Sequence, residues 1–166
     1  MRRFLMFVMT VPLAVAVYAA PASAAPAQHE HVSATLDANG VGPAALTSAI
    51  NDSGTFTTLS EHQSGKSHVS HGTFRIDTAT GSIAGKFVSL QTSDKFDATT
   101  CTETQKSKGT DVLDKKAGTG AYAGVKGTGH FTSVTTITGV VTATGCDMSA
   151  PTVSTQIEDD GHIKLP

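Results

Sequence analysis

The sequence predicts a small all-β protein, a sandwich or a barrel, and three observations lead to that prediction. Turn-forming Gly, Asn and Asp residues recur at short spacing, and the segments between them are short and rich in Thr, Val, Ile and Phe. Helical periodicity is hard to find. Residues 118–131 carry five glycines, too many for a helix, where each costs about 1 kcal/mol relative to Ala. We interpret that segment as a tight turn between two strand ends that pass close to other backbone.

The N-terminal segment has the pattern of a cleaved export signal. Arg2 and Arg3 precede an apolar run, and the small residues Ala22-Ser23-Ala24 then supply a cleavage motif. We expect a secreted protein with no membrane attachment after cleavage. The predicted boundaries are a signal peptide at residues 1–24, a disordered lead at 25–31 and a single β-barrel domain at 32–166.

Within the predicted domain, alternation of apolar and polar residues indicates the strands. Pro43–Ile50 is ambiguous, because it fits a strand before a hairpin turn and also a short helix; we favour the strand. Near the C-terminus, Asp159-Asp160-Gly161 predicts a turn into a last short strand. The clearest predicted strands are Thr55–Leu59, Gly72–Ile76, Ile83–Leu90 and Phe131–Thr138.

Aromatic residues make up 5% of the chain, and Trp is absent. Carbohydrate-binding β domains stack sugars on exposed aromatic rings, so this scarcity argues against that class. We expect the rings to fill the interior of the domain instead. The predicted core aromatics are Phe56, Phe74, Phe87, Phe96, Tyr122 and Phe131.

The charge pattern argues against a nucleic-acid partner. Twelve Lys and Arg residues stand against fourteen Asp and Glu residues, and signal cleavage would remove two of the basic residues. The remaining basic residues form no stripe of the kind that tracks a phosphate backbone. We therefore predict no binding to nucleic acid.

Two cysteines, Cys101 and Cys146, lie in the predicted exported part of the chain. Because exported proteins fold in an oxidising environment, a disulfide between them is the expected outcome. A free reactive thiol or a bridge to another molecule remains the alternative.

Two glycine-rich segments resemble bacterial secreted proteins of the allene oxide cyclase barrel-like group, which are related in fold to dirigent proteins. The segments are GTFRIDTATGSIAGKF at residues 72–87 and GTGAYAGVKGTGHF at residues 118–131. The resemblance implies a closed antiparallel barrel of about eight short strands, in a group whose members often form homo-oligomers. The polar motif that carries the chemistry of the plant cyclases has no counterpart here. The resemblance therefore transfers the fold and not the reaction.

Histidine is the one chemically versatile residue type that is unusually dense. His62, His68 and His71 lie close together, but His68 and His71 would point to opposite faces of a strand. This geometry disfavours a shared ion, so we predict no metal site and interpret the segment as a solvated hairpin, with metal binding as the alternative. His29 and His31 fall in the predicted disordered lead.

No catalytic constellation stands out, since the chain lacks a G-x-S-x-G elbow and a phosphate-binding loop. We predict a barrel without a cofactor that binds a small apolar ligand or a partner, and we favour a non-catalytic role over an enzymatic one. The alternative is a cyclase or isomerase that encloses its substrate, which requires a buried acid or Tyr with a displaced pKa. The predicted ligand-binding residues are Tyr122, Phe74, Phe87 and Phe131.

Overall fold

The structure is a computed structural model that describes residues 26–65 and 68–166. The predicted signal peptide lies outside the described residues. No helix in the described part of the chain is long and apolar enough to cross a membrane.

Nine strands account for most of the described residues. In chain order they are β1 Gln28–Leu36, β2 Val41–Ser48, β3 Asp52–Ser64, β4 Val69–Thr78, β5 Gly81–Asp97, β6 Thr102–Leu113, β7 Thr119–Gly120, β8 Lys126–Thr142 and β9 Gly145–Lys164.

Eight of these strands close into an antiparallel barrel. Each barrel strand pairs with the barrel strand that follows it in the chain, and β9 returns to pair with β1. The short strand β7 pairs with the beginning of β5. Closure gives the edge strands partners, which protects them from pairing with other chains. The predicted closed barrel of about eight antiparallel strands is confirmed.

Most predicted strands are confirmed, and the ambiguous Pro43–Ile50 segment is a strand as far as Ser48, where β2 ends. Two local predictions are wrong. Residues 28–31, assigned to a disordered lead, form the first part of β1; all four pair with β9, and Glu30 and His31 also pair with β2. Asp159-Asp160-Gly161, assigned to a turn, lies inside the 20-residue strand β9. Each segment places an acidic residue on the inner face of the barrel, where an apolar residue is expected. The usual alternation of apolar and polar residues is therefore missing from the sequence at these positions.

The glycine-rich segment closes one end of the barrel. Val125 is fully buried and Tyr122 is 6% exposed, and both belong to the hydrophobic core. Gly120 has a φ of +58°, and a Cβ there would lie 2.2 Å from the Thr80 carbonyl oxygen. Only glycine fits that approach without strain. The predicted close crossing of backbone is thus confirmed.

Four of the six predicted core aromatics pack in two pairs. Phe56 and Phe74 stack with ring centroids 5.3 Å apart, and Phe87 and Phe131 meet edge to face at 6.1 Å. Phe96 was predicted to lie in the core, but its side chain is 53% exposed. It lies on the part of β5 that continues past the last residue pair between β4 and β5, so no facing strand covers it.

The hairpins β5–β6 and β8–β9 extend beyond the barrel at its other end. Cys101, in the connection between β5 and β6, and Cys146, at the start of β9, have sulfurs 2.05 Å apart and Cα atoms 5.3 Å apart. The predicted disulfide is confirmed, and it ties the two hairpins together. Since disulfides persist in oxidising compartments, it suggests export.

Candidate functional site

A cavity of about 830 Å³ lies inside the barrel. Side chains from all eight barrel strands line it. An eight-stranded barrel is wide enough to hold one small ligand, and this volume falls within the range of small-molecule sites.

The lining changes in character along the barrel axis. Towards the end closed by the glycine-rich segment it is mainly apolar and includes Leu46, Ile50, Phe56, Phe74, Ile76, Ile83 and Ile163. Towards the other end it becomes polar and includes Ser89, Gln91, Gln105, Ser107, Ser133, Thr135 and Thr155. A ligand inside the barrel would therefore meet apolar side chains at the inner end and small hydroxyl and amide groups further out.

Three carboxylates interrupt the apolar part of the lining: Glu30 on β1, Asp111 on β6 and Asp159 on β9. Glu30 and Asp111 are 4% and 5% exposed, respectively. Strand register explains their convergence, because Asp111, Gly129, Gly161 and Glu30 are successive partners across four neighbouring strands. Asp159 lies two residues from Gly161 and so points to the same face.

Gly129 makes room for the two aspartates. A Cβ at this position would lie 2.4 Å from Oδ1 of Asp111 and 2.4 Å from Oδ1 of Asp159. Any larger residue would push at least one carboxylate away. The glycine thus allows both carboxylates to occupy the same small region of the wall.

Burial shifts the protonation of all three acids. It raises the pKa of Asp111 to about 7, and the neighbouring charge of Asp159 adds to the shift. Burial also raises the pKa of Asp159, although its hydrogen bond with Asp111 acts in the opposite direction. The pKa of Glu30 is raised by burial despite the hydrogen bond that Oε2 accepts from the Ile50 N–H at 2.8 Å. The two neighbouring aspartates therefore keep a proton to a higher pH than exposed carboxyl groups do, because burial raises the pKa of both.

One oxygen of each acid is buried and has no hydrogen-bond partner among the described residues: Glu30 Oε1, Asp111 Oδ1 and Asp159 Oδ1. None of the described residues that line the cavity is Lys or Arg. The site can therefore accept hydrogen bonds from a ligand and exchange a proton with it near neutral pH.

The residues predicted to bind a ligand fall into two groups. Phe74, Phe87 and Phe131 line the cavity. Tyr122 lies in the closed end of the barrel, where its hydroxyl donates a hydrogen bond to Asp52 Oδ2 at 2.7 Å. A ligand-binding role for these four residues stays a prediction.

Of the three histidines in the predicted hairpin, His62 lies on β3, His71 lies on β4 and His68 lies just before β4. His62 and His71 are register partners on these strands, and His68 lines the cavity. No three His, Cys, Asp or Glu residues within 26–65 and 68–166 are arranged to hold a metal ion.

Sequence reasoning missed the three acids. The sequence pattern assigns Glu30 to a disordered lead and Asp159 to a turn, and it gives no role to Asp111. A usable signal was nonetheless present, because each acid is in phase with buried or half-buried apolar residues on its own strand. Glu30 and Val32, for example, lie two residues apart and so share a face of β1, and Asp159 and Ile157 share a face of β9 in the same way.

We expect Tyr122→Phe to raise the pKa of Asp52 and to leave ligand binding in the cavity unchanged. The pKa of Asp52 is lowered to about 2, and the Tyr122 hydrogen bond is the largest cause. Removing the hydroxyl should raise this pKa towards its ordinary value, as measured by an NMR titration of the Asp52 carboxyl group. Affinity for a neutral fluorescent probe, N-phenyl-1-naphthylamine, should stay within about twofold of wild type. A large loss of probe affinity would show that Tyr122 contacts the ligand directly.

No protein-family model matches this chain, and no curated protein or solved structure matches it either. A function for the barrel and its acid-lined cavity must therefore be inferred from this chain's own sequence and structure.

Proposed function

We propose that this protein is an exported barrel that binds one small, largely apolar ligand in its interior. The observation that carries the proposal is the cavity of about 830 Å³, lined by Phe, Ile and Leu side chains from strands all around the barrel. Small-molecule sites are typically concave and mostly apolar, with a few polar groups that orient the ligand.

The cavity is difficult to explain as ordinary core packing. Protein interiors are close-packed, and large voids lower stability because their walls lose contacts. In this barrel the closed end already provides a core, with Leu46, Ile76 and Val125 each 2% exposed or less. A ligand would restore contacts to the walls of the remaining space.

Export and family membership form part of the same proposal. The Cys101–Cys146 disulfide supports secretion, and so does the signal-like pattern at residues 1–24. The closed eight-stranded barrel supports kinship with the allene oxide cyclase barrel-like and dirigent-like proteins. Mass spectrometry of the protein from the culture medium would test export, since a mature chain should begin near residue 25.

We predict that Ser133→Trp abolishes ligand binding. Ser133 lines the cavity on β8, so an indole there would occupy the space that the ligand needs. We expect at least about a tenfold loss of affinity for N-phenyl-1-naphthylamine, measured by fluorescence titration. Native mass spectrometry should also show a small molecule on the wild-type protein and none on the variant.

The matched control is Thr132→Trp, which places the same side chain on the adjacent, exposed residue of β8. It should bind the probe as wild type does. Equal binding by wild type and both variants would place the probe outside the barrel. A wild-type protein that binds no apolar probe would overturn the proposed function.

A second candidate function is acid–base catalysis on an enclosed substrate, as a cyclase or isomerase. The observation that favours it is the Asp111–Asp159 pair, which holds a proton near neutral pH inside a largely apolar cavity. One carboxyl group would give a proton to the substrate while the carboxylate beside it removes another. The substrate would thus be isomerised without a cofactor or any net gain of protons.

Deuterium uptake can test this second function. The wild-type protein would be incubated in D₂O with an organic extract of the host culture. Catalysis predicts a compound that gains deuterium only when Asp111 is present, so Asp111→Asn should abolish the uptake. Equal uptake with wild type and the variant would exclude catalysis by the pair.

A further inference from the structure

We propose that the ligand of this cavity carries a protonated amine, and that the carboxylates of Glu30, Asp111 and Asp159 bind the amine at the inner end of the barrel. The inference rests on the proposed binding function and names the chemical class of the ligand. Four features of the site support it.

The first feature is the unfilled hydrogen-bonding capacity of the acids. Glu30 and Asp111 are at least nine-tenths buried and line the cavity, and each has one buried oxygen without a hydrogen-bond partner among the described residues. A buried polar atom without a partner costs about 1–3 kcal/mol, and the cost is higher for a charged group. An ammonium group offers up to three N–H donors, so one such group can satisfy the free oxygen of more than one acid.

The second feature is the sign of the charge around the cavity. Five acidic residues belong to its lining: Glu30, Asp37, Glu61, Asp111 and Asp159. The described lining contains no Lys or Arg that could neutralise them. A fatty acid or another anionic ligand would bring a further negative charge into this environment. A cation would supply the missing opposite charge, and opposite charges attract more strongly in a buried site than in water.

The third feature is the space between the acids. Gly161 is the register partner of both Glu30 and Gly129, and a Cβ at Gly161 would lie closest to backbone atoms of Thr128 and Gly129, whereas the carboxylates of Asp111 and Asp159 converge above Gly129. Because neighbouring strands are about 4.8 Å apart, the missing side chain at Gly161 leaves room for a small charged group between Glu30 and the two aspartates.

The fourth feature is the position of the apolar lining. Phe87 is the register partner of Asp111, and Phe131 is the register partner of Asp159. An apolar body attached to the amine would therefore contact aromatic rings directly beside the acids. The expected ligand is an amphiphilic amine and not a bare inorganic cation.

Charged groups on the outside of the same wall modulate the site. His31 on β1, His130 on β8 and Asp160 on β9 act on Asp159 through their charges: the two histidines favour its ionised form, and Asp160 disfavours it. His31 is itself ion-paired with Asp160, with Nδ1 and Oδ1 3.0 Å apart. The net charge inside the cavity therefore depends on pH, and the binding test is best made near pH 7.5.

Three probes with the same ring system separate the ligand classes: 2-(1-naphthyl)ethylamine, 2-(1-naphthyl)ethanol and 1-naphthylacetic acid. We expect calorimetry with the full mature protein to show that the amine binds at least about tenfold more tightly than the alcohol. The acid should bind more weakly than either. Amine binding should also release protons, because a nearby cation favours ionisation of the acids.

Asp159→Asn and Asp94→Asn test the residues. Asp159→Asn should reduce amine affinity about tenfold and leave alcohol affinity unchanged. Asp94→Asn removes a charge from an exposed position of β5, away from the cavity lining, and should leave the binding of both probes unchanged. Glu30→Gln provides a second inward variant if Asp159→Asn folds poorly.

The outcomes distinguish this inference from the proposed function. If the alcohol binds as tightly as the amine, the barrel binds apolar ligands but the amine proposal is wrong. Tighter binding of the acid than of the amine would also overturn it, as would displacement of the amine by millimolar Ca²⁺. If none of the three probes binds and N-phenyl-1-naphthylamine also fails, the proposed function itself is wrong.

Discussion

Replacing Cys101 and Cys146 together with alanine should lower the free energy of unfolding by about 4 kcal/mol, as estimated from loop-closure entropy. The two cysteines are separated by 45 residues, so the crosslink restricts a long loop in the unfolded chain. That loop contains β6, β7 and β8, and hence two of the eight barrel strands. Urea denaturation of the oxidised wild type and the double variant would measure the difference.

Reduction provides the control for this prediction. A reducing agent should shift the unfolding midpoint of the wild-type protein towards that of the double variant and should leave the variant unchanged. Equal midpoints for the oxidised wild type and the variant would contradict the prediction. They would mean that the two hairpins open before the barrel unfolds and that the crosslink does not contribute to global stability.

Asp111→Asn should reduce the dependence of stability on pH between about 4 and 8. In the folded protein the pKa of Asp111 is raised to about 7, mainly by burial. A raised pKa means that the folded state binds a proton more tightly than the unfolded chain does. The stabilisation from this proton is complete below the unfolded pKa, near 4, and is lost as the pH rises through 7.

The size of this effect follows from the shift of about three pKa units, at about 1.4 kcal/mol for each unit. Between pH 4 and pH 8 the wild-type protein should therefore lose about 4 kcal/mol more stability than Asp111→Asn does. Urea denaturation at several pH values would measure both curves. Because Asp111 and Asp159 titrate as a pair, the change belongs to the pair and not to one carboxyl group alone.

Asp94→Asn is a suitable control, since Asp94 is an exposed carboxylate on β5. The free energy of unfolding of this variant should depend on pH in the same way as that of the wild type. Parallel curves for the wild type and Asp111→Asn would show that Asp111 is ionised and solvated in the folded protein. That result would also remove the basis for acid–base catalysis by the pair.

Much of the barrel could be predicted from local patterns. Alternation in segments such as Gly72–Ile76 identifies strands because successive side chains point to opposite faces. The clustered glycines at residues 118–129 identify a close backbone crossing, and two cysteines in an exported chain identify a disulfide. The same reasoning failed for Phe96, because exposure depends on whether a facing strand covers the ring.

The candidate site was much less predictable. Polar residues at a strand position normally indicate the solvent face, so Glu30 and Asp159 were assigned to a lead and a turn. Their burial results from partners far away in the chain. β9 pairs with β1 to close the barrel, and this pairing brings Glu30 opposite Gly161.

The sequence by itself determined the all-β class, most strand positions, the pairing of the cysteines and the aromatic character of the interior. These features follow from backbone preferences, turn chemistry and the two-residue period of a strand, all of which act over a few neighbouring residues. Only the tertiary structure decided that the barrel is hollow and that three acids face the cavity. Alternation specifies that residues share a face, but closure of the sheet decides which strands are neighbours and which face becomes the interior.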